Sequence, residues 1–379
     1  MFRPKIQDTK ILMIMAFIAI LSVMWVSKSF EYIQSDDILD KKDAVSIMSE
    51  YLKAIKKMPG NIISEDDLYK TGLIGVDSSL ITTVFENNDK SFLKSKTSCT
   101  HPNFAALVVN LFNEAELDKG DTIAISMSGS LPGANIAVLS ACETFNITPI
   151  IISSVGSSSW GANRENLTWL DMETYLYNNS LLKHRNQGVS IGGESDLGEN
   201  IRKEGIEIIE ENIIDNGSML INENTLKKNI NKKMEIYSDF IPVENYKGFI
   251  NIGGNASALG YGAGKDTMKV GVIFPIETDD LIENDDYFKE SIAYKFLKED
   301  VVFINIKNIN ILGKQWGLYP PENTIRKNEG NLFYTKEPYN LKVIIASLLI
   351  NLIIIIAVGS YSHNQIKRRM RNEEFDSIL

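Results

Sequence analysis

Two short stretches rich in serine, glycine and asparagine carry most of the side chains in this sequence that could do chemistry. The first, Ser126-Met-Ser-Gly-Ser-Leu-Pro-Gly133, follows an apolar run and leads into a helical pattern containing Asn135. The second, Asn251-Ile-Gly-Gly-Asn-Ala-Ser257, also follows an apolar run and continues into Gly260-Tyr-Gly-Ala-Gly264. Uncharged donors at a helix start suit a carboxylate or amide, because the first backbone N–H groups lack intrahelical partners and carry partial positive charge. Neither stretch is a nucleotide fingerprint. The first lacks the Gly-Lys-Ser/Thr that holds triphosphate and magnesium, and its glycine spacing misses the dinucleotide pattern. Three readings stay open: a ligand seat, a nucleophile, or glycines that only turn tight strand-to-helix corners.

The catalytic reading takes Ser126-x-Ser128-x-Ser130 as a loosened nucleophile elbow with Ser128 as the nucleophile, and Asp171 and His184 follow in Ser, Asp, His order. Against it, the usual flanking glycines are absent, Pro132 crowds the helix start, and Lys183-His-Arg185 is a setting typical of a surface histidine. Ser91-Phe-Leu-Lys94 matches Ser-x-x-Lys, but the Ser-Asp-Asn and Lys-Thr-Gly partners of that motif are missing. The pairs Asp171/Glu173 and Glu194/Asp196 offer oxygen ligands for a hard cation. Acidic loops of an acidic chain ordinarily lie exposed, so neither a metal nor a cofactor is expected.

A third polar block, Ser157-Ser-Ser-Trp-Gly-Ala-Asn163, has the composition of a site that both packs and hydrogen-bonds a ligand. The ligand seat is therefore expected from Ser128, Gly129, Ser130, Gly133 and Asn135, from Ser158, Ser159, Trp160 and Asn163, and from Gly253, Gly254 and Asn255. Trp169 is expected in the core.

These loops need elements to hold them. Apolar residues at helical spacing run from Ala44 to Ile55 before Pro59-Gly60, and this helix is expected as a membrane-proximal stalk or lid. From Thr100 the pattern is helix, strand (122–127), helix to about Phe145, then strand (149–153), which is one βαβ unit. Further on, the expected order is a helix over 195–204 ended by Gly205, a strand over 206–209, and a helix from 222 or 223 to 237. Strands follow at 249–252 and 268–274, then a helix over 286–298 and a strand over 301–306. The alternation predicts an α/β fold, an open, mostly parallel sheet with helices on both faces. Ligands of such sheets bind beyond the carboxyl ends of the strands, where both glycine loops lie.

Residues 11–27 and 343–361 are uncharged and apolar, and the second meets the length of about 18 residues expected of a transmembrane helix. The first is an anchor or a cleaved signal, which would make the chain single-pass. Lys367-Arg368-Arg369 and Arg371 follow the second run, and Arg3, Lys5 and Lys10 precede the first. The positive-inside rule then places both termini in the cytoplasm. The expected organisation is a cytoplasmic 1–10, a membrane helix at 11–27, and a helical segment at 28–70. An extracytoplasmic α/β domain follows over 71–342, with a sub-domain seam at 178–200, then a membrane helix at 343–361 and a basic tail at 362–379. Asn351 is the polar group within the second run and is expected at a helix–helix contact. The chain carries net −10 while both ends are basic, so the middle is more acidic still and excludes a nucleic-acid partner. Cys99 and Cys142 could pair in an oxidising compartment, which one sequence does not show; the favoured expectation is Cys142 in the core and Cys99 a loop thiol, because a domain of this size needs no staple.

Several ordered blocks resemble one family. They are Thr71-Gly-Leu-Ile-Gly75, Ser79-Leu-Ile-Thr-Thr83, Pro102-Asn-Phe-Ala-Ala106, Ser128-Gly-Ser with Pro132-Gly and Asn135-Ile-Ala137, Ser158-Ser-Trp-Gly-Ala-Asn163, Thr168-Trp-Leu-Asp-Met-Glu173 and Ile191-Gly-Gly193. Over about residues 70–265 the sequence resembles the poly-gamma-glutamate system protein family. The resemblance implies a bacterial membrane protein that accompanies the integral subunits of poly-gamma-glutamate synthesis or export, with the polymer itself a candidate ligand. It supplies no catalytic residues. The leading expectation is an accessory protein binding a γ-glutamyl carboxylate or amide. The alternatives are a hydrolase or γ-glutamyl transferase using Ser128, and a non-catalytic assembly scaffold.

Overall fold

The computed structural model describes residues 8–83, 90–261, 268–282, 288–318 and 331–376. The expectations resting on Arg3, Lys5, Gly262, Gly264 and Asp286 lie outside them. The chain divides into two compact units, residues 1–35 with 334–379, and residues 36–333.

The first unit contains helices α1 (Thr9–Lys28) and α13 (Leu341–Asp376) and strands β1 (Glu31–Gln34) and β11 (Tyr334–Glu337), which pair antiparallel. Both helices are long and apolar enough to cross a membrane, and they contain the two expected spans. Asn351 Nδ2 donates to Ser22 Oγ at 2.9 Å and to Ser347 O at 2.8 Å. An amide in an apolar helix needs such partners, and this bond is the helix–helix contact expected of Asn351.

The second unit is built on a seven-stranded sheet of β2 (Thr122–Ser128), β3 (Thr148–Ser154), β6 (Asn186–Ser190), β7 (Leu220–Ile221), β8 (Gly248–Ile252), β9 (Gly271–Ile273) and β10 (Val302–Ile306). A two-strand ribbon, β4 (Asn163–Arg164) with β5 (Leu167–Thr168), lies apart from it. The strand order is β7-β6-β3-β2-β8-β10-β9, with every pair parallel except β10 with β9. The α/β, mostly parallel expectation therefore holds. Central strands of such a sheet are buried on both faces and read as continuous apolar runs. Ile123 to Met127 and Phe249 to Ile252 are accordingly almost fully buried.

The helices are α2 (Ile38–Lys56), α3 (Ser91–Thr100), α4 (Asn103–Glu114), α5 (Pro132–Phe145), α6 (Trp169–Asn178), α7 (Lys203–Asp215), α8 (Leu226–Phe240), α9 (Ala256–Leu259), α10 (Thr278–Ile282), α11 (Ile292–Leu297) and α12 (Ile309–Gln315). One apolar cluster joins Ala124, Ile152, Phe249 and Phe303 of the sheet to Tyr237 of α8 and Phe296 of α11. Pro132 opens α5, where a missing N–H costs nothing, and Asn146 closes it in the left-handed region at φ 49°.

Three expectations are corrected here. Helix α2 is no stalk or lid: Ala44, Val45, Met48 and Ile55 are fully buried, and the helix packs on α4 and α5. The expected helix 195–204 and strand 206–209 do not form: α7 begins at Lys203, runs through 206–209 and buries Ile209 and Ile213 along one face. Gly205 does not end a helix. A Cβ there would fall 2.1 Å from Leu80 O, so this glycine admits a neighbouring backbone to the first turn of α7. Finally, the 178–200 stretch is no seam, because β6 runs through it as an interior strand of the sheet.

Candidate functional site

Strand order decides where a site can form. From β2 the chain proceeds to β3, β6 and β7 on one side, whereas β8, β10 and β9 lie on the other. The boundary between β2 and β8 is the topological switch point, where loops leave the sheet in opposite directions and open a crevice. Both glycine-rich loops follow these two adjacent strands, which pair Ser126 with Asn251. The loops touch: a Cβ on Gly253 would lie 2.3 Å from Ser128 Oγ, and Gly253 adopts φ +94°. Only glycine combines that backbone with that closeness.

Beyond these strand ends lies a cavity of about 1100 Å³. Ser128 lines it from the end of β2 and Ser130 from the loop that follows, Ser158 from the loop after β3, and Gly253, Gly254 and Asn255 from the loop after β8. Gly192, Gly193, Glu194 and Asp196 after β6 close another wall, with Lys307 and Asn308 after β10. Lys96 enters from α3. Its Nζ donates to Ser130 O at 2.5 Å and to Ser158 Oγ at 2.6 Å. The Ser158 N–H in turn donates to Ser130 Oγ at 3.1 Å.

Beneath the cavity runs a closed polar network. Asn255 Nδ2 donates to Ser126 Oγ (2.9 Å), while Asn255 Oδ1 accepts from the N–H and Oγ of Ser257. Lys233 of α8, fully buried, donates to Ser257 Oγ (2.8 Å), Ser190 Oγ (2.9 Å) and Asp196 Oδ2 (2.6 Å). Ser190 Oγ donates to Asp196 Oδ1 at 2.7 Å. An ammonium has three donors, and all three are used. This ion pair holds the loop after β6 and the loop after β8 to one buried point.

The expected ligand residues divide. Ser128, Ser130, Ser158, Gly253, Gly254 and Asn255 line the cavity; Gly129, Gly133, Asn135, Ser159, Trp160 and Asn163 do not. Gly129 O accepts from Ser157 Oγ and from the Ala162 N–H, so this residue braces the turn. Asn135 Nδ2 donates back to Ser128 O, and Asn163 pins Val76 and Thr82. Ser159 is fully buried. Trp160 is 5% exposed, its N–H donates to Val76 O, and its backbone lies at φ +56°, a strained region for a bulky residue. Its indole is packing, not a ligand platform. Trp169 is fully buried, as expected.

The N-terminus of α5 is also not the open anion seat expected. The N–H groups of Gly133 and Ala134 face the Cys99 thiol, and a Cβ on Gly133 would sit 2.6 Å from Cys99 O. Helix α3 thus covers it. Cys99 lies within that helix, not in a loop, and both cysteines are free and buried. Burial pushes the Cys99 thiol up to about 12, against the opposing pull of Lys96 and those N–H groups, which leaves an unreactive thiol.

The Ser128, Asp171, His184 order does not assemble as a triad. Asp171 caps α6 by accepting from the Thr168 N–H at 2.7 Å, and it also accepts from Asn212 and Asn216. His184 is partly buried near Glu143, and burial lowers its pKa. No hydrogen bond joins the three among the described residues. The acidic pairs are likewise not exposed loops. Asp196 is 1% exposed and ion-paired, and Glu173 is fully buried against Asn186. Among the described residues no cluster of three or more metal-ligating side chains occurs.

Sequence reasoning missed Lys96, the Lys233–Asp196 pair, and the loop after β6 as a cavity wall. Lysines are ordinarily exposed, so type alone gives no signal for either. Strand β6 reads Asn-Gln-Gly-Val-Ser, too polar to register as a buried strand.

No family model and no curated protein matches this chain. Two solved structures of Escherichia coli diaminopropionate ammonia lyase are similar to it in part. The apo form is 9% identical, covers 92% of this chain and 89% of its own, and has a TM-score of 0.14. The complex with an aminoacrylate-PLP azomethine reaction intermediate is 10% identical, covers 88% and 91%, and has a TM-score of 0.15. At such TM-scores the likeness carries no argument about fold or function.

Proposed function

We propose that the cavity binds the carboxylate or amide groups of a γ-glutamyl chain, and that the protein is a membrane-anchored accessory of poly-gamma-glutamate synthesis or export. One observation carries this reading. Three of the blocks on which the family resemblance rests, at Ser128 to Ser130, Ser158 to Asn163 and Ile191 to Gly193, each contribute to the wall of one cavity. Blocks separated by tens of residues converge on a surface rich in hydroxyls and backbone groups. That surface suits a ligand with repeated carboxylates and amides, with Lys307 as a cation in its wall.

In this reading the net negative charge of the chain limits nonspecific adhesion of the anionic polymer. The two apolar helices dock on the integral synthase or export subunits, with both termini cytoplasmic and the main domain outside, as the flanking basic residues favour.

Gly254 offers a clean test. It lines the cavity, and a Cβ there would meet no atom within 4 Å. Gly254→Phe adds a ring to the cavity from a position where the Cβ itself meets no wall. Titration of the full chain in detergent with oligomers of γ-linked glutamate should show binding by the wild type. In the variant, affinity should fall at least about tenfold, roughly 1.4 kcal/mol, at unchanged melting temperature. Equal affinity of the two proteins would remove the cavity from the function and leave the assembly-scaffold reading.

A further inference from the structure

Ser158 and Lys96 meet in a way that binding alone does not require. Lys96 Nζ lies 2.6 Å from Ser158 Oγ, within the reach of direct proton transfer. Ser158 is partly exposed, Lys96 is 3% exposed, and both line the cavity. Ser130 orients both. Its carbonyl accepts from Lys96 Nζ, and its hydroxyl accepts from the Ser158 N–H. A nucleophile facing a cavity, a base in contact with it, and a third group that fixes the base is the general arrangement of an activated hydroxyl. A serine–lysine pair is one of its chemical forms.

We infer that Ser158 and Lys96 form a nucleophile–base dyad that transfers the acyl group of a γ-glutamyl amide. The assignment rests on the proposal that this cavity takes γ-glutamyl ligands. With its amine neutral, Lys96 accepts the Ser158 proton as Ser158 Oγ bonds to the amide carbonyl carbon. The tetrahedral oxyanion then collapses, the C–N bond breaks, and Lys96 returns the proton to the departing amine nitrogen. An ester remains on Ser158. Water or an acceptor amine attacks that ester, gives a proton to Lys96, and releases Ser158, which regains its proton from Lys96. The balance closes with no further reactant. Water as acceptor shortens a chain, and an amine as acceptor joins two. Ser128 lines the same cavity, but among the described residues no base touches it, and its Oγ accepts a 3.3 Å contact from the Ser130 N–H.

The test uses the full chain in detergent and a fluorophosphonate probe, which forms an O–P bond with an activated serine as fluoride leaves. Peptide mapping should place the label on Ser158, at a rate that rises with pH as the base loses its proton. Lys96→Arg, which keeps the charge but cannot accept a proton, should slow labelling by about 10²–10⁴-fold. It should leave the melting temperature unchanged. Ser158→Ala should abolish the label, and Ser128→Ala should not. Absence of label on wild-type Ser158, label on Ser128 instead, or an unaltered rate in Lys96→Arg would overturn the dyad. The wild-type result decides without any variant having to fold. Oligomer binding without labelling sinks the dyad and spares the ligand proposal. Labelling through Lys96 without oligomer binding supports the dyad and sinks the ligand proposal.

Discussion

Lys233→Met is expected to destabilise the 36–333 unit by about 3–5 kcal/mol, the range for removing one partner of a buried ion pair. The methionine fills most of the lysine's volume, so packing contributes little to the loss. The cost lies in what is left behind. Asp196, at 1% exposure, keeps the Ser190 hydroxyl at 2.7 Å and an Asn229 amide at 3.5 Å, and loses its cation. Ser257 Oγ and Ser190 Oγ each lose a buried donor. The double variant Lys233→Met/Asp196→Asn removes both charges and should recover the larger part of the loss, because a neutral amide is far cheaper to bury than an unpaired carboxylate. Denaturant unfolding of the three proteins measures this directly. If the double variant is no more stable than Lys233→Met, charge burial is not the source of the effect. The pair also ties two walls of the cavity together, so Lys233→Met should weaken oligomer binding although Lys233 does not line the cavity.

Glu173 should make stability depend on pH in the sense opposite to a salt-bridged carboxylate. Burial pushes its pKa up to about 7 from an ordinary 4.5, against the opposing effects of the Asn186 amide, the Asn186 N–H and Arg185. The folded state therefore keeps the proton where the unfolded chain has lost it. Below about pH 4.5 both states are protonated and Glu173 has no effect. As pH rises from about 4.5 to 7 the unfolded state ionises first and stability falls, reaching a total loss of about 3 kcal/mol that then stays constant. Glu173→Gln should flatten that slope, leaving the variant more stable than the wild type at pH 8 relative to pH 5. Asn186 Oδ1 is buried without a hydrogen-bond partner. Rotating the Asn186 amide would let this oxygen accept from a protonated Glu173 or from the glutamine amide. Identical pH slopes for the two proteins would contradict the assignment.

Both predictions concern groups that the sequence gives little means to find, and the reason is physical. Periodicity reports which faces are apolar, so β2, α5, β3, α8, β8 and β10 were legible within a few residues. The strand order was not legible, and the switch point and the closeness of the two glycine loops emerge only from the fold. Polar groups that are buried break the rule on which such reading depends. Strand β6 is polar in sequence yet interior, because Asn186 answers Glu173 and Ser190 answers Asp196 and Lys233. Helix α7 was misread because Gly205, normally a stop, serves a close backbone approach from Leu80. Half of the expected ligand residues reach the cavity. The others, Asn135, Asn163 and Trp160 among them, are the braces that shape its loops, and composition does not separate a brace from a wall. Lys96 lay two residues from a discarded Ser-x-x-Lys match, and only the fold brings it to Ser158, 62 residues away.

The central claim is that the loops after β2, β3, β6 and β8 form one ligand site. Hydrogen–deuterium exchange of the full chain in detergent, with and without an oligomer of γ-linked glutamate, tests it most directly. Binding should slow exchange together at residues 128–133, 156–160, 192–196 and 253–257, and leave α2 and the outer faces of α7 and α8 unchanged. Slowing confined to other segments, or no slowing at a saturating oligomer concentration, would contradict it.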